Sequence, residues 1–203
     1  MQAARFHVDF YFGAGSRYSY LASTQLSRLS EETAAVFRWK AVFSGDLIAA
    51  TGRDPFAPDQ QRGPYDPGYR TQDVERWARL YRVPFTDFDV AGVDLRRLAR
   101  ACCAADLLGR AEGFGRALLQ AVHGRGEPPR NDAELAAVAV AAGLDPRELI
   151  RVLESTRSEQ QQSRNLEDAR AAGAFGVPTF VTEDGELFWG QDRLPLLQAH
   201  LGG

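Results

Sequence analysis

Residues 5–12, RFHVDFYF, alternate strictly: Phe6, Val8, Phe10 and Phe12 share one side, and Arg5, His7, Asp9 and Tyr11 share the other. That period of two, with its aromatic content, predicts a strand. Gly13-Ala14-Gly15 breaks it. Ser16 then stands at a helix N-cap position, and Tyr20, Leu21, Leu26 and Leu29 supply the apolar face of the helix that follows. Residues 35–43, AVFRWKAVF, read as a second strand. A strand, helix and strand in this order predict a right-handed crossover and a parallel pair. The far end of the chain has its own pattern: Thr179-Phe180-Val181 as a short strand, Glu183-Asp184-Gly185 as a turn, and Glu186 to Trp189 as the partner strand. A last helix is expected from near Asp192 to about His200.

Between these ends the pattern changes. Residues 53–71 hold four prolines and two glycines without periodicity, which predicts a long loop. From about Gln72 to Gly173 the chain reads as helical almost throughout. Val74, Trp77, Ala78 and Tyr81 form one stripe, with Trp77 and Tyr81 expected in the core. Leu95, Leu98, Ala99 and Cys102 form a second, and Leu135, Val138 and Ala142 a third. Asn131 or Asp132 is a good cap, and residues 157–170, polar on most faces, suit an exposed connecting helix. The expectation is an α/β chain with a large helical insertion at 56–172, framed by 1–55 and 173–203.

Charge and composition exclude several classes. A net charge of −3 offers no global positive field for nucleic acid. Of the 24 basic residues only Lys40 is a lysine. No apolar run approaches the ~18 residues needed to span a membrane, and no secretory signal precedes the first strand, so a cytoplasmic address is expected. The two cysteines, Cys102 and Cys103, are adjacent, which suits neither a disulfide framework nor a cysteine zinc cluster. Cys102 lies on an apolar stripe and reads as a small buried hydrophobe. His7, His123 and His200 are far apart, without the carboxylate spacing of a metal site.

A strand-helix-strand unit and a strand-strand-helix unit, the second opened by Val177-Pro178, make the layout of the thioredoxin fold. DFYFGAGSRYSYLAS (9–23) and FGVPTFVTEDGELFWGQDRL (175–194) together resemble the two ends of the 2-hydroxychromene-2-carboxylate isomerases, relatives of the kappa-class glutathione transferases and of DsbA-like oxidoreductases. The resemblance implies that Ser16 is the catalytic residue, acting on a bound glutathione. A thiol has a reference pKa of about 8.5. Backbone N–H groups at a helix start, together with a serine hydroxyl donating to the sulfur, favour its thiolate. Ser16 is then the activator of a borrowed nucleophile, and capping the helix is compatible with that role.

By the same resemblance, Val177-Pro178 is a cis peptide whose Val177 backbone pairs with the cysteinyl part of glutathione. Gly190, Gln191, Asp192 and Arg193 match the segment that binds its γ-glutamyl end, where a carboxylate meets an amine and N–H groups receive a carboxylate. Arg17 stands where the family usually has proline, and Ser16 and Ser19 occupy the positions of the fold's usual cysteines. Leu47 and Arg53 stand nearest to a lysine and an asparagine that contact substrate in the naphthalene-pathway enzymes. Val93-Asp94 replaces their tyrosine-asparagine pair. Arg17, Arg53, Arg96 and Arg97 are the candidates to meet a carboxylate substrate. The implied function is glutathione-dependent cis–trans isomerisation of an unsaturated or aromatic-derived carboxylic acid, by a homodimer. The alternatives are a kappa-type transferase or peroxidase and a non-catalytic DsbA-like module.

Overall fold

The computed structural model describes residues 6–49 and 66–202. Arg53 and most of the proline-rich stretch lie outside these residues. The sheet has four strands in the order β2-β1-β3-β4: β1 (His7–Phe12), β2 (Val36–Ala41), β3 (Thr179–Thr182) and β4 (Leu187–Trp189). The β1–β2 pair is parallel, as the crossover argument expects, and the β1–β3 and β3–β4 pairs are antiparallel. β1 therefore sits between a local neighbour and one from the far end of the chain. Its inward residues Val8, Phe10 and Phe12 are fully buried. Phe10 stacks on Phe180 at 5.1 Å and meets the Trp39 ring edge-on at 4.9 Å, so three strands share one aromatic cluster. On the opposite face Tyr11 packs with Val42, Leu47, Ala169 and Ala174, so the sheet is covered on both sides.

The first helical region is two helices rather than one. α1 (Arg17–Ser23) and α2 (Leu26–Thr33) are separated at Thr24-Gln25. The hydroxyls of Ser23 and Thr24 donate to the carbonyls of Tyr20 and Leu21, each at 2.7 Å, and the Gln25 N–H turns to the Ala22 carbonyl at 2.9 Å in place of that of Leu21. A short α3 (Ser44–Ala49) follows β2.

α4 (Pro67–Tyr81) starts five residues earlier than the apolar period alone indicates. Pro67 acts as a helix starter, not a breaker: Asp66 caps the helix by accepting from the Tyr69 N–H at 2.8 Å. Asp145-Pro146 begins α8 (Pro146–Leu153) in the same way. The helical reading fails at 83–94, which is irregular, after Arg82 closes α4 in a left-handed conformation. α5 (Leu95–Leu107), α6 (Ala111–Leu119), a π-helical turn (Gln120–Gly124), α7 (Asp132–Ala141) and α9 (Thr156–Ala171) complete the block between β2 and β3. A 3-10 turn (Gln191–Arg193) and α10 (Leu194–Leu201) follow β4. No helix among the described residues is long and apolar enough to cross a membrane.

α9 corrects the expectation of an exposed connector. Its polar sequence includes Ser158 and Asn165, both buried. Asn165 Nδ2 donates to the Ala41 carbonyl at the end of β2, at 3.0 Å, and lies 3.6 Å from Cys103 Sγ; its Oδ1 accepts from Gln161 at 3.0 Å. A buried amide satisfied on both sides anchors the helix to the sheet. Asn165→Ala leaves the Ala41 carbonyl short of its amide donor and is expected to cost about 1–3 kcal/mol. The measurement is a lower urea midpoint with an unchanged m-value; a midpoint equal to wild type would contradict it.

Candidate active site

The site begins where β1 stops. The Ser16 N–H donates to the Gly13 carbonyl at 3.0 Å, closing the Gly13-Ala14-Gly15 turn. Gly15 lets the turn pack close to α5: a Cβ at this position would sit 2.7 Å from Leu95 Cδ1 and push that side chain aside. Ser19, wholly buried, accepts from the Gly13 N–H at 3.3 Å, so the second of the fold's usual cysteine positions stitches the turn. Ser16 caps α1 as expected, with its Oγ accepting from the Ser19 N–H at 3.1 Å. That bond uses a lone pair and leaves the hydroxyl proton, which points to the Val177 carbonyl at 3.4 Å. The length of this second bond marks the proton as available to a better acceptor.

The Val177-Pro178 peptide is cis. Thr179 Oγ1 donates to the Gly176 carbonyl at 2.7 Å, and the Gly190 N–H donates to the Pro178 carbonyl at 2.9 Å. Two backbone steps thus link Ser16 to the end of β4. Gly190 has φ of 102°, and the Asp192 carboxylate folds back against it, so a side chain at 190 meets both strain and a clash. Asp192 is not the cap of the last helix: that position belongs to Arg193, without a side-chain bond. Its carboxylate is 44 % exposed and has only a loose pairing, 3.6 Å, to the guanidinium of Arg193. Gln191 is buried, and Tyr81 of α4 donates to its Oε1 at 2.6 Å. Burial and the Asp192 charge push the Tyr81 phenol up to about 12, so it stays a donor.

The other candidates divide. Arg17, at the first position of α1, pairs with Asp87 at 2.7 Å and donates to Thr71 Oγ1 at 3.4 Å; its charge is tethered beside Ser16. Arg96 is bidentate on Asp46 and lies over the Phe43 ring, while Arg97 pairs with Asp132 and Glu154 at 2.7 Å each. Both Arg96 and Arg97 thus already have carboxylate partners, which a substrate carboxylate would have to displace. Leu47 is buried in the core, and Asp94 caps α5 by accepting from the Arg97 N–H. Cys102 and Cys103 are buried thiols whose pKa values burial raises, to about 12 for Cys103, so neither is a nucleophile. No cluster of His, Cys, Asp and Glu able to hold a metal occurs among the described residues.

His123 lies beneath the turn. Its Nε2 meets the Ala14 carbonyl at 3.0 Å, and it packs among Tyr20, Phe85 and Phe88. Donation to that carbonyl requires the proton on Nε2. Burial, reinforced by the Arg17 charge, lowers its pKa to about 3 even though the bond to Ala14 opposes the shift. Sequence reasoning had no handle on this residue, because a lone histidine in a helical run carries no spacing. Tyr81 was equally hidden, its phenol lying on an apolar stripe.

The DSBA-like thioredoxin domain matches residues 7–202, and the chain belongs to that family. Among curated relatives, the 2-hydroxychromene-2-carboxylate isomerase of Sphingobium xenophagum is 30% identical over 195 residues, covering 96% of this chain and 97% of that one. The enzyme of the same name from Pseudomonas putida is 29% identical, covering 96% and 94%. A solved 2-hydroxychromene-2-carboxylate isomerase superposes with a TM-score of 0.83 at 28% identity, over 97% of this chain and 94% of the other. A probable DsbA oxidoreductase from Streptomyces coelicolor, 17% identical, shares the fold with a TM-score of 0.74, over 97% and 88%.

The His123 environment makes a pH prediction. Its folded pKa lies below the ~6.5 of an unfolded histidine. The stability it contributes is whole above that value and is lost as pH falls toward about 3. Relative to His123→Gln, the wild type is expected to lose about 2 kcal/mol between pH 7 and pH 5. Urea unfolding at the two pH values measures this, and an unchanged gap would show that the imidazole is not held neutral.

Proposed function

We propose that this protein is a glutathione-dependent cis–trans isomerase acting on 2-hydroxychromene-2-carboxylate or a related unsaturated aromatic acid. The observation that carries the reading is Ser16: a hydroxyl that caps α1 through its oxygen while keeping its proton for an acceptor beside the cis Val177-Pro178 peptide. The relatives named as isomerases, which match nearly the whole chain, support the reaction class.

The residues present suit glutathione. Ser16 would donate to its sulfur, and the backbone of Val177 would pair with its cysteinyl unit. Asp192, exposed and loosely paired, is free to meet the γ-glutamyl amine, with Gly190, Gln191 and Arg193 around it. When bound, glutathione supplies a thiolate that adds reversibly to a conjugated carbon, which lets the former double bond rotate before elimination restores it. The protein's part is to hold the sulfur charged. Ser16 gives a hydrogen bond, and Arg17, fixed by Asp87, places a positive charge one residue away. With this reading go a homodimer, carried by the family resemblance alone, and a cytoplasmic address.

A kappa-type transferase reading is favoured by one observation. Leu47, nearest by the resemblance to the family's substrate lysine, is buried, and Arg96 and Arg97 already carry carboxylate partners, which leaves the aromatic-acid half of the isomerase reading with less support than the thiol half. Product analysis separates the two: isomerisation regenerates glutathione and transfer consumes it.

Glutathione at ten times its dissociation constant is expected to raise the melting temperature of the wild type on the order of 3–6 °C. Ser16→Ala is expected to lose turnover of 2-hydroxychromene-2-carboxylate and about 1 kcal/mol of stability from the missing cap. No stabilisation by millimolar glutathione would sink both enzyme readings, and stabilisation without isomerisation would favour the transferase.

A further inference from the structure

We infer that Tyr81 is a positioning residue for thiol recognition: through Gln191 it holds the Asp192 segment in the orientation that receives the γ-glutamyl end of glutathione. The inference rests on the glutathione reading above and extends it to a residue on α4. Three contacts along α4 reach both halves of the site. Near its start, Thr71 accepts from Arg17 at 3.4 Å, and Asp73 accepts from the Tyr18 hydroxyl at 2.9 Å, so the helix is tied to the first turn of α1, beside Ser16. At its last residue, the Tyr81 hydroxyl reaches Gln191 Oε1 at 2.6 Å and the Gln191 carbonyl at 3.5 Å. α4 therefore spans from the thiol end of the site to the Gln191–Arg193 turn.

The Tyr81 bond is placed to matter for binding. Gln191 is 2 % exposed, so its amide oxygen has no water to replace a lost partner. The residue before it, Gly190, is pinned to Pro178, and the residue after it exposes the carboxylate. The turn's cap position is Gly190, which has no side chain to steady it, and Tyr81 adds a side-chain brace to the Gly190–Pro178 bond. Removing the hydroxyl lets Gln191 and its neighbour reorient, while the contacts of Ser16 with Ser19 and Val177 are untouched. The deficit is then confined to ligands that engage the γ-glutamyl subsite.

The test is isothermal titration of wild type and Tyr81→Phe with two thiols, glutathione and cysteinylglycine, the latter lacking the γ-glutamyl group. Far-UV circular dichroism confirms that the variant is folded. The expected result is about tenfold weaker glutathione binding by Tyr81→Phe with cysteinylglycine binding unchanged. A Gln191→Met variant is expected to show the same deficit, and combining the two substitutions to add little. Equal weakening toward both thiols, or no weakening toward either, would overturn the positioning role. Wild-type protein that binds glutathione no better than cysteinylglycine would instead overturn the glutathione reading, and the role of Tyr81 with it.

Discussion

Everything at the site depends on the register of β1 against β3. Tyr11 pairs with Thr179, and the antiparallel ladder runs from there to Val8 and Thr182. With Thr179 opposite Tyr11, the chain just before β3 must lie beside the chain just after β1. That pairing brings Val177 and Ser16, 161 residues apart in sequence, to hydrogen-bonding distance. A slip of one residue would turn Phe180 out of the aromatic cluster with Phe10 and Trp39. The apolar core and the site are thus specified by the same ladder.

Charge is used with similar economy. Arginine is the chain's main cation, but most of those around the site are engaged: Arg17 on Asp87, Arg96 on Asp46, and Arg97 on Asp132 and Glu154. Lys40 sits between Asp9 and Asp168 on the face of the sheet away from the aromatic cluster. These exposed pairs contribute little stability individually. Their consequence is for recognition. A carboxylate substrate that needs a cation would have to displace a protein carboxylate, whereas the acid at Asp192 is only loosely held and is open to an amine.

The ends of the chain were the legible part. Alternation in β1, the Ser16 cap, the β3–β4 hairpin and the Val177-Pro178 opening are local patterns, and local patterns survive into the structure. What escaped were features whose cause is tertiary. Asn165 looks like a surface residue because its partner, the Ala41 carbonyl, is 124 residues away. Pro67 reads as a breaker unless Asp66 is recognised as a cap. Tyr81 and His123 are invisible to periodicity, since a phenol on an apolar stripe scores as core and a single imidazole scores as nothing. The break between α1 and α2 was written in Ser23-Thr24, but only their hydroxyl geometry shows it.

The supports found only in three dimensions share a direction. His123 holds the Ala14 carbonyl from below, Ser19 closes the turn from inside, and Tyr81 braces Gln191 from the side. None of them points a free functional group outward. A hydroxyl such as that of Ser16 is a weak acid, and its value to a bound sulfur lies in being fixed where a hydrogen bond to thiolate is better than one to thiol. Preorganisation of that kind has to come from neighbours that packing and hydrogen bonds already hold in place, since a mobile support would spend the gain on ordering itself. At Arg17 the Asp87 and Thr71 contacts hold the first turn of α1 from outside, where a proline at that position would stiffen it from within.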